Sequence, residues 1–205
     1  MKSTSSDAGD TRARILDIAE SLLKRYGLEK LNVVDVARAL NMSHGNVYRH
    51  FSSKAALREA VIHRWLDRVV QKTDIIAKRD APADQRLTDW LKALAVIKQR
   101  KVVEDAEMLA AAVKVVRNAP SIQNEHARLL TAQVVGILEA GLLDGTLPGA
   151  HPPQSTAIAI LDATTKFHHP EMVAKGGSAQ AQMVGLERVL TLIMVALTAI
   201  PEFQQ

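Results

Sequence analysis

The stretch HGNVYRH, residues 44–50, crowds together the hydrogen-bonding side chains of His44, Asn46, Tyr48, Arg49 and His50. Val47 within it and Phe51 just beyond it keep the i, i+4 spacing of an apolar helix face. Three chemistries use such a set: metal binding, acid–base catalysis, and hydrogen bonding to the base edges of DNA. A metal needs convergent ligands. His44 and His50 are six residues apart, on different faces of a helix, and the adjacent His168 and His169 diverge. His126 and His151 could join them only through the tertiary fold. Spacing therefore supplies no metal site, and His168, close before Pro170, is expected to satisfy backbone at a helix end. Catalysis finds no Gly-rich phosphate loop, HExxH or GxSxG. The acidic Glu104, Asp105 and Glu107 read as a solvated helix face. The chain has no Cys, which excludes disulfides, thiolate zinc sites, iron–sulfur clusters and a Cys nucleophile. The expectation is no enzyme, no cofactor and no metal.

Charge favours the third chemistry. Residues 1–72 carry 13 Lys/Arg against 8 Asp/Glu, and residues 73–205 carry 13 against 14, so a net +5 sits in the first third and −1 in the rest. A small basic region beside a near-neutral larger one suits a polyanion-binding part and a part with another task. The opening MKSTSSDAGD is polar, lacks the apolar core of a signal peptide, and reads as a disordered tail over residues 1–10. No unbroken apolar run reaches the ~20 residues of a bilayer span, so a cytoplasmic protein with no membrane partner is expected.

The elements that must hold residues 44–50 are all helical. Ile15, Ile18, Ala19, Leu22 and Leu23 mark a first helix over residues 11–26, with Asp10 or Thr11 as its cap and Gly27 as its stop. Asn32 can cap a two-turn helix carrying Val33, Val36, Ala37 and Leu40. Asn41 is suited to the left-handed turn that must follow. Ser43 is a fresh N-cap for the short helix, in which Val47, Phe51 and part of the Tyr48 ring face inward. Lys54 opens a long helix to about residue 79, and helical patterns continue to the end, the last stopped by Pro201. No strand pattern occurs.

At this level of detail the stretch VVDVARALNMSHGNVYRHFSSKAAL resembles the DNA-binding signature of TetR-family transcriptional regulators. The ordered matches are Val36-Ala37, Ser43, Gly45-Asn46-Val47-Tyr48-Arg49-His50-Phe51 and Ser53-Lys54-Ala55-Ala56-Leu57. FHHPEMV, residues 167–173, is similar to a segment of one branch of that family. Two positions depart from the pattern: Asn41 stands where Gly is usual, and Asn32 where Thr commonly caps. The resemblance implies an all-α chain: a helix-turn-helix head over residues 11–57, joined by a long helix to a ligand-binding and dimerisation domain over residues 58–205. It implies double-stranded DNA as a partner. His44, Gly45, Asn46 and Arg49 are then the base-facing residues of a recognition helix in the major groove, and Asn32, Ser43, Tyr48, His50 and Lys54 the phosphate-facing ones.

The resemblance further implies a repressor released from a palindromic operator when a small, mostly apolar ligand binds the second domain. Its alternative is a DNA-bound scaffold of the same fold that acts through a protein partner. Trp65, Trp90, Leu94, Met108, Val134 and Phe167 are large residues that could converge on a pocket. MVGLERVLTLIMVALTAI, residues 183–200, is apolar nearly all round, which calls for burial on two sides and hence a homodimer. Ile158, Leu161, Leu186, Val189, Leu190, Ile193 and Leu197 are the expected interface.

Overall fold

The computed structural model describes residues 4–199, with side chains from Gly9 onward; Pro201 lies outside them. Every regular element described is helical: α1 (Thr4–Tyr26), α2 (Val33–Ala39), α3 (His44–His50), α4 (Lys54–Ala77), α5 (Ala83–Glu104), α6 (Ala106–Asn118), α7 (Pro120–Asp144), α8 (Pro153–Thr164), a 3-10 turn at Thr165–Phe167, α9 (Pro170–Lys175) and α10 (Ala179–Thr198). The chain forms two compact units.

The head unit comprises residues up to Asp67 together with Asp105–Asn124. Its core joins Ile15, Ala19 and Leu23 of α1, Val36 and Ala37 of α2, Val47 and Phe51, and Leu57, Val61, Ile62 and Trp65 of α4. Helix α1 runs from Thr4, so Asp10 and Thr11 lie within it rather than at its cap. The head unit takes in α4 as far as Asp67 and, from later in the chain, α6. Helix α6 buries Met108, Ala111, Ala112 and Val115 in the head core, because its apolar residues recur on one side and that side packs on α1. Asp105 is likewise no idle surface acid: it accepts from the Trp65 indole N–H at 3.1 Å and pairs with Lys24 at 3.3 Å.

The bundle unit comprises Arg68–Glu104 and residues from Glu125 onward. Leu87, Trp90, Leu91 and Leu94 of α5, Val134, Ile137 and Leu138 of α7, Ala157 and Ile160 of α8, Phe167, and Leu186, Leu190 and Leu197 of α10 form its core. Burial of such side chains contributes ~1.5–3 kcal/mol each. A polar hub is enclosed and satisfied. Gln133 Oε1 accepts from Thr73 Oγ1 at 2.7 Å and Trp90 Nε1 at 2.8 Å, while its Nε2 donates to the Val70 carbonyl at 2.9 Å. By length and composition α10 could cross a bilayer, with mean hydropathy 1.5. Here it packs against α5 and α8, and its Glu187 pairs with Lys92 at 3.0 Å.

Of the residues expected at a pocket, Trp65 and Met108 belong to the head core, and Trp90, Leu94, Val134 and Phe167 to the bundle core. The dimer set also divides. Leu186, Leu190 and Leu197 are buried within their own unit, while Ile158, Leu161, Val189 and Ile193 keep exposed surface. Helix periodicity finds apolar residues but does not say which side of an all-round apolar helix meets its own core.

Candidate nucleic-acid interface

Local capping builds the helix-turn-helix. Asn32 Oδ1 accepts from the Asp35 amide at 2.8 Å, which starts α2. Asn41 adopts φ 52°, the left-handed turn its type allows, and the Met42 amide reaches back to the Ala37 carbonyl at 3.0 Å. Ser43 Oγ then accepts from the Asn46 amide at 3.3 Å and starts α3. Ser53 Oγ caps α4 in the same way, accepting from the Ala56 amide at 3.0 Å.

Packing decides which way α3 faces. Val47 is fully buried and Phe51 nearly so, the latter with the Arg12 guanidinium 5.0 Å from its ring centroid. His44, Gly45 and Arg49 are consequently exposed, and Asn46 and His50 half-buried. Tyr48 does not share the inward side; it is 50% exposed. The side chains of His44, Asn46, Tyr48, Arg49, His50 and Lys54 have no hydrogen-bond or ion-pair partner among the described residues. By contrast Arg58 and Arg64, further along α4, are spent inside the head. Arg58 donates to the carbonyls of Leu28 and Glu29, and Arg64 pairs with Asp17 at 2.8 Å and Glu20 at 3.1 Å. The structure thus separates cations that hold the head together from groups left for a partner.

Asn32 fits the phosphate-facing set poorly. It spends both ends of its amide on Asp35, donating to that carboxylate at 2.6 Å, and a carboxylate there repels an approaching phosphate. Two α6 cations that sequence spacing did not select, Lys114 and Arg117, share a groove with Lys54, and Lys114 there is paired with Glu29 at 3.4 Å. This open groove of about 740 Å³ is lined by Lys54 and Arg58 of α4, Glu29 from the α1–α2 loop, and Lys114 and Arg117 of α6. Sixty residues separate Lys54 from Lys114, so no local pattern could have joined them.

The arrangement is a helix-turn-helix with an outward polar helix, the geometry of a DNA-reading head. Comparison with known proteins agrees. Residues 15–61 match the family of bacterial regulatory proteins of the tetR type, and residues 83–184 match the tetracyclin repressor-like C-terminal domain. The transcriptional repressor KstR2 of Rhodococcus jostii is 30% identical over 151 residues, which span 70% of each chain. The chain belongs to the TetR family of DNA-binding transcriptional regulators. Two solved structures share its fold. A TetR-family regulator from Mesorhizobium loti superposes with TM-score 0.71 at 11% identity, covering 92% of this chain and 96% of its own. A transcriptional regulator from Saccharomonospora viridis in complex with choline gives TM-score 0.64 at 16% identity, covering 89% and 96%.

Proposed function

We propose that this chain is a homodimeric repressor that reads a palindromic operator through α3 and releases it when a small, mostly apolar ligand binds the bundle unit. The observation that carries the reading is the division of α3: Val47 and Phe51 anchor it, and its polar side chains are outward and unpartnered. Arg49 and Asn46 supply the bidentate donors and acceptors that discriminate guanine and adenine in the major groove. His44 adds a further base contact, and Gly45 lets the backbone approach. Ser43, Tyr48, His50 and Lys54 hold phosphates and set register. Pairing of two heads uses the outer side of α8 and α10. Ile158 is 47% exposed, Leu192 73% and Val195 65%, and Leu161, Val189 and Ile193 border them. Such an apolar strip on a soluble chain calls for a cover, and a two-fold copy of itself matches it by construction. The protein then works in the cytoplasm, beside its DNA.

Selection of bound duplexes from a random library, with wild type and Arg49→Ala in parallel, tests this. Wild type is expected to enrich an inverted repeat. The variant is expected to lose ~1–3 kcal/mol of discrimination at one base pair per half-site, with unchanged melting. If folded wild-type protein enriches no sequence even at low salt, the DNA-reading role is rejected.

A further inference from the structure

The inward side of α5 carries Leu87, Trp90, Leu91, Leu94 and Ala95 in helical register, and the next position of that stripe is Lys98. On α7 the inward stripe of the bundle unit begins at His126 and continues through Leu130, Val134, Ile137 and Leu138. Where the two apolar stripes end, they present a basic pair: Lys98 Nζ lies 3.1 Å from Nε2 of His126. His126 is buried, and Lys98 is half-buried, so a ligand can still reach it.

Charge balance sets this pair apart from Arg64. Arg64 in the head meets two carboxylates. Lys98 has no carboxylate partner among the described residues, where its ammonium meets the imidazole of His126. Desolvation by burial lowers Lys98 to about 8, so it still carries its charge at neutral pH. His168, on the same unit, is lowered to about 4 by burial and is neutral, with Nε2 donating to the Leu161 carbonyl at 3.1 Å. The Lys98 ammonium is left without a carboxylate partner among the described residues at the end of an apolar core. An uncompensated charge of this kind destabilises a fold and is a mark of a site that acts on something else.

We propose that Lys98 and His126 anchor a ligand site for an organic monocarboxylate with an apolar body. The carboxylate neutralises the Lys98 ammonium, and the apolar body lies toward Leu94 and Leu130, one turn deeper on the two stripes. A single charge matches a monoanion rather than a polyphosphate. It repels a cation, so a choline-like effector does not suit this chain. The inference names the ligand class for the effector reading above and rests on it.

The test is calorimetric titration of the full chain with a panel of aliphatic and aromatic monocarboxylates (octanoate, decanoate, palmitate, benzoate, phenylacetate, indole-3-acetate), each against its neutral amide, in wild type and Lys98→Met. At least one acid is expected to bind wild type ten-fold or more tighter than its amide, with the difference abolished in Lys98→Met. The variant itself is expected to melt higher than wild type, since it removes a buried charge, and so should remain folded. A direct readout is the Lys98 Nζ resonance, whose titration midpoint should move up from about 8 when the acid is bound. Saturable binding of no acid, or equal binding by wild type and Lys98→Met, overturns the site. The same acids are then added to the operator complex. Lys98-dependent binding without DNA release keeps the site and rejects the effector reading. Release by a neutral or cationic compound, indifferent to Lys98→Met, keeps the effector reading and rejects the site.

Discussion

The head and the bundle are both helical and both built on Leu, Val, Ile and Ala, yet they place their chemistry on opposite sides. In the head, apolar residues close the interior and the unpartnered polar groups of α3 face outward. In the bundle, Gln133, Thr73, His126 and half-buried Lys98 lie at inward positions, and apolar Leu192 and Val195 are left outside. On the proposed function, the difference follows from the partners. A DNA duplex is larger than the head and must be met on its surface. A small molecule is held by enclosing it, and a second copy of the chain is held by apolar surface. Polar groups pointing outward cost a fold little, whereas those pointing inward must each be satisfied or be retained for a purpose.

The largest expected effect comes from damaging one core while the other is observed. Trp90 is fully buried and its indole N–H is spent on Gln133. Trp90→Ala should destabilise the bundle by ~3–5 kcal/mol. Amide exchange should show the loss in α5 and α7 while protection around Val47 persists; equal loss in both would show that the two units do not unfold separately.

A smaller effect comes from acid. His168 is held at about 4, against an ordinary 6.5, by burial foremost; the Leu161 carbonyl and Asp162 oppose that shift, and Lys98 and His169 reinforce it. Between those values the unfolded chain binds a proton that the folded one refuses. Stability should therefore fall as pH drops from about 6.5 toward 4, by up to about 3 kcal/mol. Denaturant titrations across that range, repeated with His168→Gln, check it. An equal pH dependence in the variant would assign the loss to other groups.

The smallest effect belongs to the head. Asn41→Ala forces a β-carbon residue without a helpful side chain into φ 52°, and should cost about 1–2 kcal/mol, whereas Asn41→Gly should cost almost nothing. Chemical melts of both variants decide it. Equal loss in the two would mean that the Asn41 side chain, not its backbone angle, holds the turn.

What could be read without the fold was whatever is decided within three or four residues. Asn32 and Ser43 cap because their side chains reach the amides of Asp35 and Asn46, and Asn41 turns because its type tolerates the left-handed region. The α3 side that faces out followed from Val47 and Phe51 alone. Ser178 at the start of α10 and His168 on the Leu161 carbonyl are local in the same sense. The extent of α1 and the short α9 were missed because Ser, Thr, Gly and Pro mark both loops and helix starts, and neighbouring packing decides between them.

The amino-acid order by itself thus determined an all-helical chain, its helix-turn-helix, and the polar side chains that α3 turns away from its core. Only the tertiary structure decided that α6 joins the head, that Trp65 and Met108 enter the head core, that Leu186, Leu190 and Leu197 turn inward, and that Lys98 meets His126. The reason is physical. Capping and periodicity are properties of neighbours along one helix, whereas each of these outcomes depends on which of several apolar faces finds another, and that choice is made across tens of residues by burial.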